Sequence, residues 1–161
     1  MTFCYLDKAE KAIWLPELFE LFYDNMHAIA PFSGTFQQEK AEWIAEVSAA
    51  LERPPRQIIL CMADGVLAGY IQYYIRDRML MVEELQVRKE YHRTCLFYCF
   101  CKHLLSVLPR DLQIIEAYAH KENHHSIRLM QRLGMQLQET QGPFLHLRGS
   151  AEAVYRFFGR T

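Results

Sequence analysis

Apolar residues recur every three to four positions over residues 11–27 and again over residues 36–51, which is the period of helices that bury one face. Pro16 is best tolerated in a first helical turn, so we expect the first regular helix to begin near Leu15. Thr35 followed by Gln38 resembles a capping box and predicts the start of the second helix. A short apolar segment ahead of both helices, residues 3–6, predicts an opening strand.

The pattern then changes to short apolar runs separated by turn residues, which is typical of strands. Asp64-Gly65 is a strong hairpin signal, and Arg76-Asp77-Arg78 marks a second polar turn. Strands joined by such short turns run antiparallel. The predicted meander therefore consists of strands over residues 57–62, 66–75 and 79–87.

A helix-strand-helix pattern follows, and the chain closes with a hairpin and a last helix. A strand, a crossover helix and a further strand predict parallel neighbours, here the strands over 79–87 and 112–119, which should splay near Val87 and Tyr118. We expect one domain over residues 1–161, of class α/β (α+β), with a mixed, mostly antiparallel central sheet and helices on both faces. The remaining predicted elements are helices over 94–108, 123–133 and 151–158, and a hairpin from 136–139 to 144–148.

Composition and charge narrow the class of protein. Of the 161 residues, 51% are hydrophobic and 23% are charged, which excludes a disordered chain. The net charge of −1 shows no basic excess, so we expect no nucleic-acid partner. The longest apolar runs, residues 58–62 and 96–100, are far shorter than a membrane helix needs, and residues 1–9 lack the layout of a signal peptide. An odd count of five cysteines within apolar stretches favours a reduced, cytoplasmic protein.

Two local sequences, together with the order of the elements, resemble the GNAT superfamily of N-acetyltransferases over roughly residues 2–148. One lies at the end of a strand and in the loop that follows it. The other is an Asn-initiated helix that ends in Leu-Gly-Met. The residues that carry the resemblance are Met81-Val82-Glu83-Glu84-Leu85-Gln86-Val87-Arg88-Lys89-Glu90-Tyr91, and then Asn123, Ser126-Ile127, Leu129 and Leu133-Gly134-Met135.

The resemblance implies an N-acetyltransferase that uses acetyl-CoA as co-substrate and a small-molecule amine as acceptor. It assigns the pantetheine arm and thioester to the main chain at Leu85 and Val87. The family's phosphate loop falls on residues 92–97, where His92 takes the place of Arg or Gln, and Cys95 and Phe97 take the places of glycines. Helix-end N–H groups remain at Thr94, Cys95, Leu96 and Phe97, and Arg93 supplies a guanidinium for phosphate.

The family's usual tyrosine, which protonates the leaving thiolate, falls on Met130, and methionine has no proton to donate. Together with the glycine-free loop, this departure leaves an alternative open, namely a catalytically degenerate GNAT-fold domain that binds a ligand or a partner. Tyr118 is the candidate replacement for the missing proton donor, although an aromatic residue that packs on a sheet is the simpler explanation. Asn123 is a candidate contact for pantetheine and also a natural helix cap.

Adjacent acids on the third meander strand carry the candidate acid–base chemistry. Glu83 and Glu84 should point to opposite faces of the sheet, so that one faces the substrate as general base or amine anchor. Similarity to polyamine and amino-sugar acetyltransferases, where an acid pair lies here, favours Glu83. The alternative is an exposed polar strand end. Phe32, beside Gly34 in a loop, is a candidate for the acceptor pocket.

Two further patterns bear on metals and on self-association. His92, Cys95, Cys99 and His103 share one helical face, but four ligands along three turns of one helix cannot converge on one ion, so we predict no metal. The apolar closing segment, residues 154–158, suggests a homodimer contact as a hypothesis.

Overall fold

The computed structural model describes residues 1–53 and 55–159, which form one mixed sheet with helices on both of its faces. The strands are β1 (Thr2–Tyr5), β2 (Gln57–Ala63), β3 (Val66–Arg76), β4 (Met79–Val87), β5 (Ile114–His120), β6 (Gln136–Gln141) and β7 (Phe144–Ser150). The α-helices are α1 (Lys11–Met26), α2 (Phe36–Leu51), α3 (Leu96–Val107), α4 (His124–Arg132) and α5 (Ala151–Phe157).

The seven strands lie in the order β1-β2-β3-β4-β5-β7-β6, and every neighbouring pair except β4 and β5 is antiparallel. Two-residue turns connect β2 to β3 and β3 to β4. Their central residues all have positive φ, with values of 52° and 80° at Asp64 and Gly65 and 49° and 62° at Asp77 and Arg78. Such turns match the twist of the strands that they join. The predicted meander is therefore confirmed.

Strands β4 and β5 run parallel, as predicted, and they pair over only part of their length. The pairing begins at Met79 with Ile114 and ends at Val82 with Ala117. Beyond that level, residues 83–87 of β4 have no strand partner on this side. The predicted splay is thus confirmed, and it opens a gap in the middle of the sheet.

Two hydrophobic cores cover the two faces of the sheet. On one face α1 and α2 bury Leu18, Leu21 and Val47 against β2 and β3. On the other face α3, α4 and α5 pack over β4, β5 and β7, with Phe100 and Phe158 fully buried. Val154 and Phe158 of the apolar closing segment are thus buried within the chain, whereas Phe157 is exposed, and a homodimer stays a prediction.

Helix α1 begins one turn earlier than its sequence predicts. It starts at Lys11, after a 3-10 turn over residues 8–10, and Pro16 lies inside it, so the expected start near Leu15 is wrong. A proline at this position removes the bond from its own nitrogen to the carbonyl of Ala12. Burial of Leu15 and Leu18 against the sheet offsets that loss.

The capping box that was predicted for α2 is present. The Thr35 hydroxyl accepts from the Gln38 N–H at 3.4 Å, and the Gln38 side chain accepts from the Thr35 N–H at 2.9 Å. Helix α4 ends as predicted at Gly134, whose φ is +83°. Within residues 1–53 and 55–159, no helix has the length and apolar character to cross a membrane.

Candidate active site

A cleft with a cavity of about 390 Å³ passes through the sheet where β4 and β5 diverge. It is mostly apolar and is lined from both faces. On the α1 side its walls include Phe22, Met26, Glu83, Glu84 and Gln86, and on the α3–α4 side they include Phe97, Leu104, Asn123, Leu129 and Met130. The gap in the sheet therefore connects the part of the cleft on the α1 side with the part on the α3–α4 side.

The acid pair of β4 sits on a β-bulge. Gln72 of β3 pairs with Glu84, and Tyr73 pairs with Val82, so Glu83 is the extra residue. The bulge interrupts the alternation of side chains, and both carboxylates reach the α1–α2 face. Glu83 accepts from Gln72 and Glu84 accepts from Tyr70, which share that face because they are two residues apart on β3. The prediction that the two acids point to opposite faces is therefore wrong.

Glu84 is the carboxylate with strongly altered acidity. Its oxygens accept hydrogen bonds from the Tyr70 hydroxyl and, at 3.2 Å, from Nε1 of Trp43. Burial raises the pKa of Glu84 to about 7, and the charge of Glu83 adds to that rise, while the two hydrogen bonds act in the opposite direction. Glu84 therefore changes its protonation near neutral pH, which is the property that a general base requires.

Glu83 is held by a cation from the same chain. The Arg56 guanidinium donates through Nε to both carboxylate oxygens, at 2.9 and 2.8 Å, and through Nη2 to one of them at 2.6 Å. Arg56 also lies over the ring of Tyr74, 5.0 Å from its centroid. Hydrogen bonding to Glu83 raises the pKa of Arg56. Glu83 is thus a paired carboxylate, in contrast to Glu84.

The main chain of β4 turns toward the gap at the two predicted residues, where side chains of Asn25 and His92 already bond to the Val87 carbonyl. The Arg88 N–H donates to the Ala68 carbonyl at 2.9 Å. Because antiparallel pairs alternate, the N–H and C=O groups of Leu85 and Val87 point away from β3 and toward β5. The Val87 carbonyl accordingly accepts from Nδ2 of Asn25 at 3.0 Å. The edge of β4 that the resemblance assigns to the pantetheine arm faces the cleft.

Two side chains of the predicted phosphate loop are engaged within the loop. The His92 ring bonds through Nε2 to the Val87 carbonyl at 2.8 Å. The Thr94 hydroxyl donates to the Tyr91 carbonyl at 2.8 Å and accepts from the Leu96 N–H at 3.1 Å. These contacts shape the loop and satisfy one of the N–H groups at the start of α3.

Among the basic side chains near the start of α3, one forms an ion pair and two do not form one with the described residues. Arg88 is taken up by an ion pair with Glu17 at 3.0 Å. Arg93 and Lys89 are exposed, and neither forms an ion pair with the residues that the structure describes. Of the predicted phosphate ligands, Arg93 keeps its guanidinium available.

The two residues that replace glycines in the loop have different surroundings. Cys95 is exposed and has φ −76° and ψ 3°, a conformation that needs no glycine. Phe97 is half-buried, packs against the core and lines the cleft. Helix geometry leaves the N–H groups of both residues without helical partners. Of the four predicted N–H donors, those of Thr94 and Leu96 are therefore engaged within the loop, and those of Cys95 and Phe97 remain, with the bulky Phe97 ring beside them.

The cleft also brings together the positions considered for protonation of the leaving thiolate and the candidate for contact with the pantetheine arm. Met130 and Tyr118 both line it, and the Tyr118 ring is 39% exposed and stacks on His146 with centroids 4.7 Å apart. Asn123 lines the cleft as well and caps α4, because its side chain accepts from the Ser126 N–H at 3.2 Å. The two readings of Asn123 are compatible in this geometry.

Phe32 lies in an aromatic group behind the α1 wall of the cleft. Its ring stacks on Tyr23 at 5.0 Å and meets Phe22 edge-on at 5.6 Å. Trp43 stacks against Phe22 as well, with centroids 6.0 Å apart. Phe22 is the member of this group that reaches the cleft, and Phe32 supports it.

Sequence reasoning missed the residues that orient the acids. Trp43, Arg56, Tyr70 and Gln72 come from α2, the segment before β2, and β3, and they converge on β4 only through tertiary packing. No local spacing in the sequence marks them. The bulge was equally invisible, because it is a property of the strand pairing.

The side chains that could ligate a metal do not cluster. Among the described residues, no group of three or more His, Cys, Asp or Glu side chains is arranged to hold an ion. His103, which the sequence places on the same face as His92, instead stacks on Phe3 at 4.4 Å.

Comparison with known proteins places these features in context. Residues 15–135 match the model of the acetyltransferase (GNAT) family. No curated protein matches the sequence.

Solved structures resemble this fold at low sequence identity. The PaiA N-acetyltransferase of Thermoplasma acidophilum, in complex with coenzyme A, superposes with a TM-score of 0.72 at 15% identity, over 93% of this chain and 99% of that chain. An acetyltransferase of Thermus thermophilus gives 0.73 at 13% identity, over 93% and 97%. YncA of Salmonella typhimurium, with its cofactor acetyl-CoA, gives 0.56 at 17% identity, over 93% of both chains.

Proposed function

The chain belongs to the acetyltransferase (GNAT) family, and from that premise we propose that it transfers the acetyl group of acetyl-CoA to the primary amine of a small molecule. One observation carries the proposal. The cleft through the sheet brings the Glu84 carboxylate, with its pKa raised to about 7, to one side of the gap, and it brings to the same gap the part of β4 that has no pairing with β5, at Leu85 and the Val87 N–H. A base and a strand edge for the thioester arm are what this reaction requires.

The residues on the α3 side fit the donor. The apolar cleft and the main-chain groups of Leu85 and Val87 suit a pantetheine arm, with Asn123 as a further polar contact. The N–H groups of Cys95 and Phe97 and the exposed guanidinium of Arg93 suit its phosphates. When bound there, acetyl-CoA supplies an acetyl group activated as a thioester.

Glu84 is the proposed proton acceptor on the α1 side. The ammonium first gives one proton to Glu84, the amine nitrogen then bonds to the acetyl carbon, and the carbon–sulfur bond breaks. The nitrogen loses its second proton as the amide forms, and this proton replaces the one that the leaving thiolate takes up. The Tyr118 hydroxyl is proposed to protonate the leaving thiolate, since Met130 cannot. Glu83, which the family resemblance favours as the base, is held in an ion pair with Arg56, and this supports a positioning role for it.

The proposal is tested by measuring acetyl-CoA-dependent release of the CoA thiol with a panel of primary amines. Turnover with at least one amine, together with a rise in melting temperature on adding CoA, would support it. A rise in melting temperature without turnover across the panel would favour the alternative of a degenerate binding domain. Absence of both responses would contradict acetyl-CoA as the donor.

A further inference from the structure

Within the part of the chain that the structure describes, the carboxylates that line the cleft are Glu83 and Glu84, and Glu84 is the one without an ion pair. The Arg56 guanidinium binds Glu83 through both oxygens, and their side chains are 30% and 20% exposed. Glu116, on the neighbouring strand β5, is paired with His146 at 3.1 Å and with Arg148 at 3.3 Å. The hydrogen bonds that Glu84 accepts come from the neutral donors of Trp43 and Tyr70.

The walls around Glu84 are apolar and aromatic on both sides. Phe22 and Met26 of α1 form one side, and Phe22 is stiffened by Trp43 and Phe32 behind it. The other side carries aromatic side chains of β5 and β7. The rings of His120 and Phe144 lie edge-to-face there, with centroids 5.6 Å apart. The members of that side are Tyr118, His120 and Phe144. Such walls favour a flat apolar body, and among the described residues that line the cleft they hold no carboxylate besides Glu83 and Glu84 for a second ammonium.

Resting on the proposed function, we infer that the acceptor is a monoamine with an aromatic or apolar body, and that Arg56 excludes polyamines by occupying the carboxylate that a second ammonium would need. An incoming diamine would have to displace a bidentate guanidinium, which fits a carboxylate better than an ammonium does. Arg56 is thus a specificity-determining residue that acts through Glu83. Its position over Tyr74 keeps the guanidinium in place.

The test compares 2-phenylethylamine, butylamine and 1,4-diaminobutane as acceptors. The kcat/KM of the wild-type protein should be higher for phenylethylamine than for diaminobutane by about tenfold or more. The reason is that Glu83, which is paired with Arg56, cannot offer the second ammonium of diaminobutane a charge-assisted hydrogen bond. Arg56→Met keeps an unbranched stem over Tyr74 and frees Glu83. This variant should raise the diaminobutane-to-butylamine ratio by about tenfold.

Two further variants separate this effect from damage to the fold. Arg56→Lys keeps a charge without the planar fork and should give a smaller change in the ratio. Arg76→Met removes an exposed arginine that pairs with Asp77 at 3.4 Å in the β3–β4 turn, and it should leave the ratio unchanged. A lower melting temperature shared by both Arg56 variants without any change in the ratio would overturn the inference.

A binding readout keeps this inference distinct from the proposed function. The same amines are added to the protein in thermal denaturation, which reports acceptor binding whether or not transfer occurs. Stabilisation by phenylethylamine and not by diaminobutane supports the inference even if no amine is acetylated, in which case only the proposed function fails. Preference for diaminobutane in either assay, or no stabilisation and no turnover with phenylethylamine, overturns it.

Discussion

The two sides of the cleft use different parts of the polypeptide. On the acceptor side, side chains from distant elements fix the chemistry, because Trp43, Tyr70 and Arg56 all converge on the acid pair of β4. On the donor side, the main chain of β4 and the first turn of α3 supply most of the polar groups. We therefore expect substitutions to be tolerated better on the donor side, where the main chain supplies the binding groups, than on the acceptor side, where side chains supply them.

The largest expected effect is on the acceptor side. Glu84→Gln removes the base and should lower kcat/KM by about 10²–10⁴-fold near pH 7. In the wild type, kcat/KM should rise with pH through about 7, because the carboxylate of Glu84, whose pKa is raised to about 7, loses its proton there. In the Glu84→Gln variant, kcat/KM should not show this rise with pH. Glu42→Gln, an exposed change on α2, is the matched control, and equal activity of the two variants would rule out Glu84 as the base.

A smaller effect is expected on the donor side. Arg93→Ala should weaken the binding of CoA about three- to tenfold, as measured by calorimetry, because an exposed guanidinium contributes a modest charge-assisted contact to phosphate. Arg110→Ala, exposed beyond the other end of α3, should leave the affinity unchanged. An unchanged affinity in Arg93→Ala would mean that the N–H groups at the start of α3 suffice.

The hydrogen bond from Trp43 to Glu84 offers a finer test of the acceptor side. Trp43→Phe keeps a ring beside Phe22 but removes a donor that lowers the pKa of Glu84. The pKa should therefore rise, a smaller fraction of Glu84 should be ionised at neutral pH, and the rate there should fall several-fold. Because the base is retained, the deficit should shrink by about pH 8.5, where the carboxylate is again ionised. A deficit that is constant with pH would show that Trp43 acts by packing alone.

The smallest effect is expected where the loop lacks its first glycine. Cys95 has an ordinary backbone conformation and an exposed side chain, so Cys95→Gly should change the affinity for CoA by less than about twofold. Calorimetry on the variant checks this. Binding that becomes much tighter would instead show that the Cys95 side chain obstructs the phosphates.

Local patterns predicted the fold well. The turn at Asp64-Gly65, the capping box at Thr35 and the crossover between β4 and β5 each depend on residues close in sequence or on a general rule of chirality. The predicted start of α1 was wrong because packing of Leu15 and Leu18 outweighed the local cost of Pro16. Burial in the tertiary structure therefore shifted the start of α1, while the segment remained a helix as predicted.

The site was predictable only in part. Membership in the family could be inferred from motifs, and so could the position of the acid pair on β4. The face to which Glu83 points depends on a bulge opposite Gln72, and the raised pKa of Glu84 depends on burial by residues far away in sequence. Neither has a signature in the neighbouring residues. For that reason the sequence favoured Glu83 as base, while the geometry supports Glu84.

If acetyl-CoA binds along the splayed half of β4, amide hydrogen exchange will report the binding residue by residue. The N–H groups of Leu85 and Val87 face the gap, whereas residues 79–82 are already paired with β5. Saturating acetyl-CoA should slow the exchange of Leu85 and Val87 and leave residues 79–82 nearly unchanged. Unchanged exchange over residues 83–87 at a saturating concentration would contradict the account.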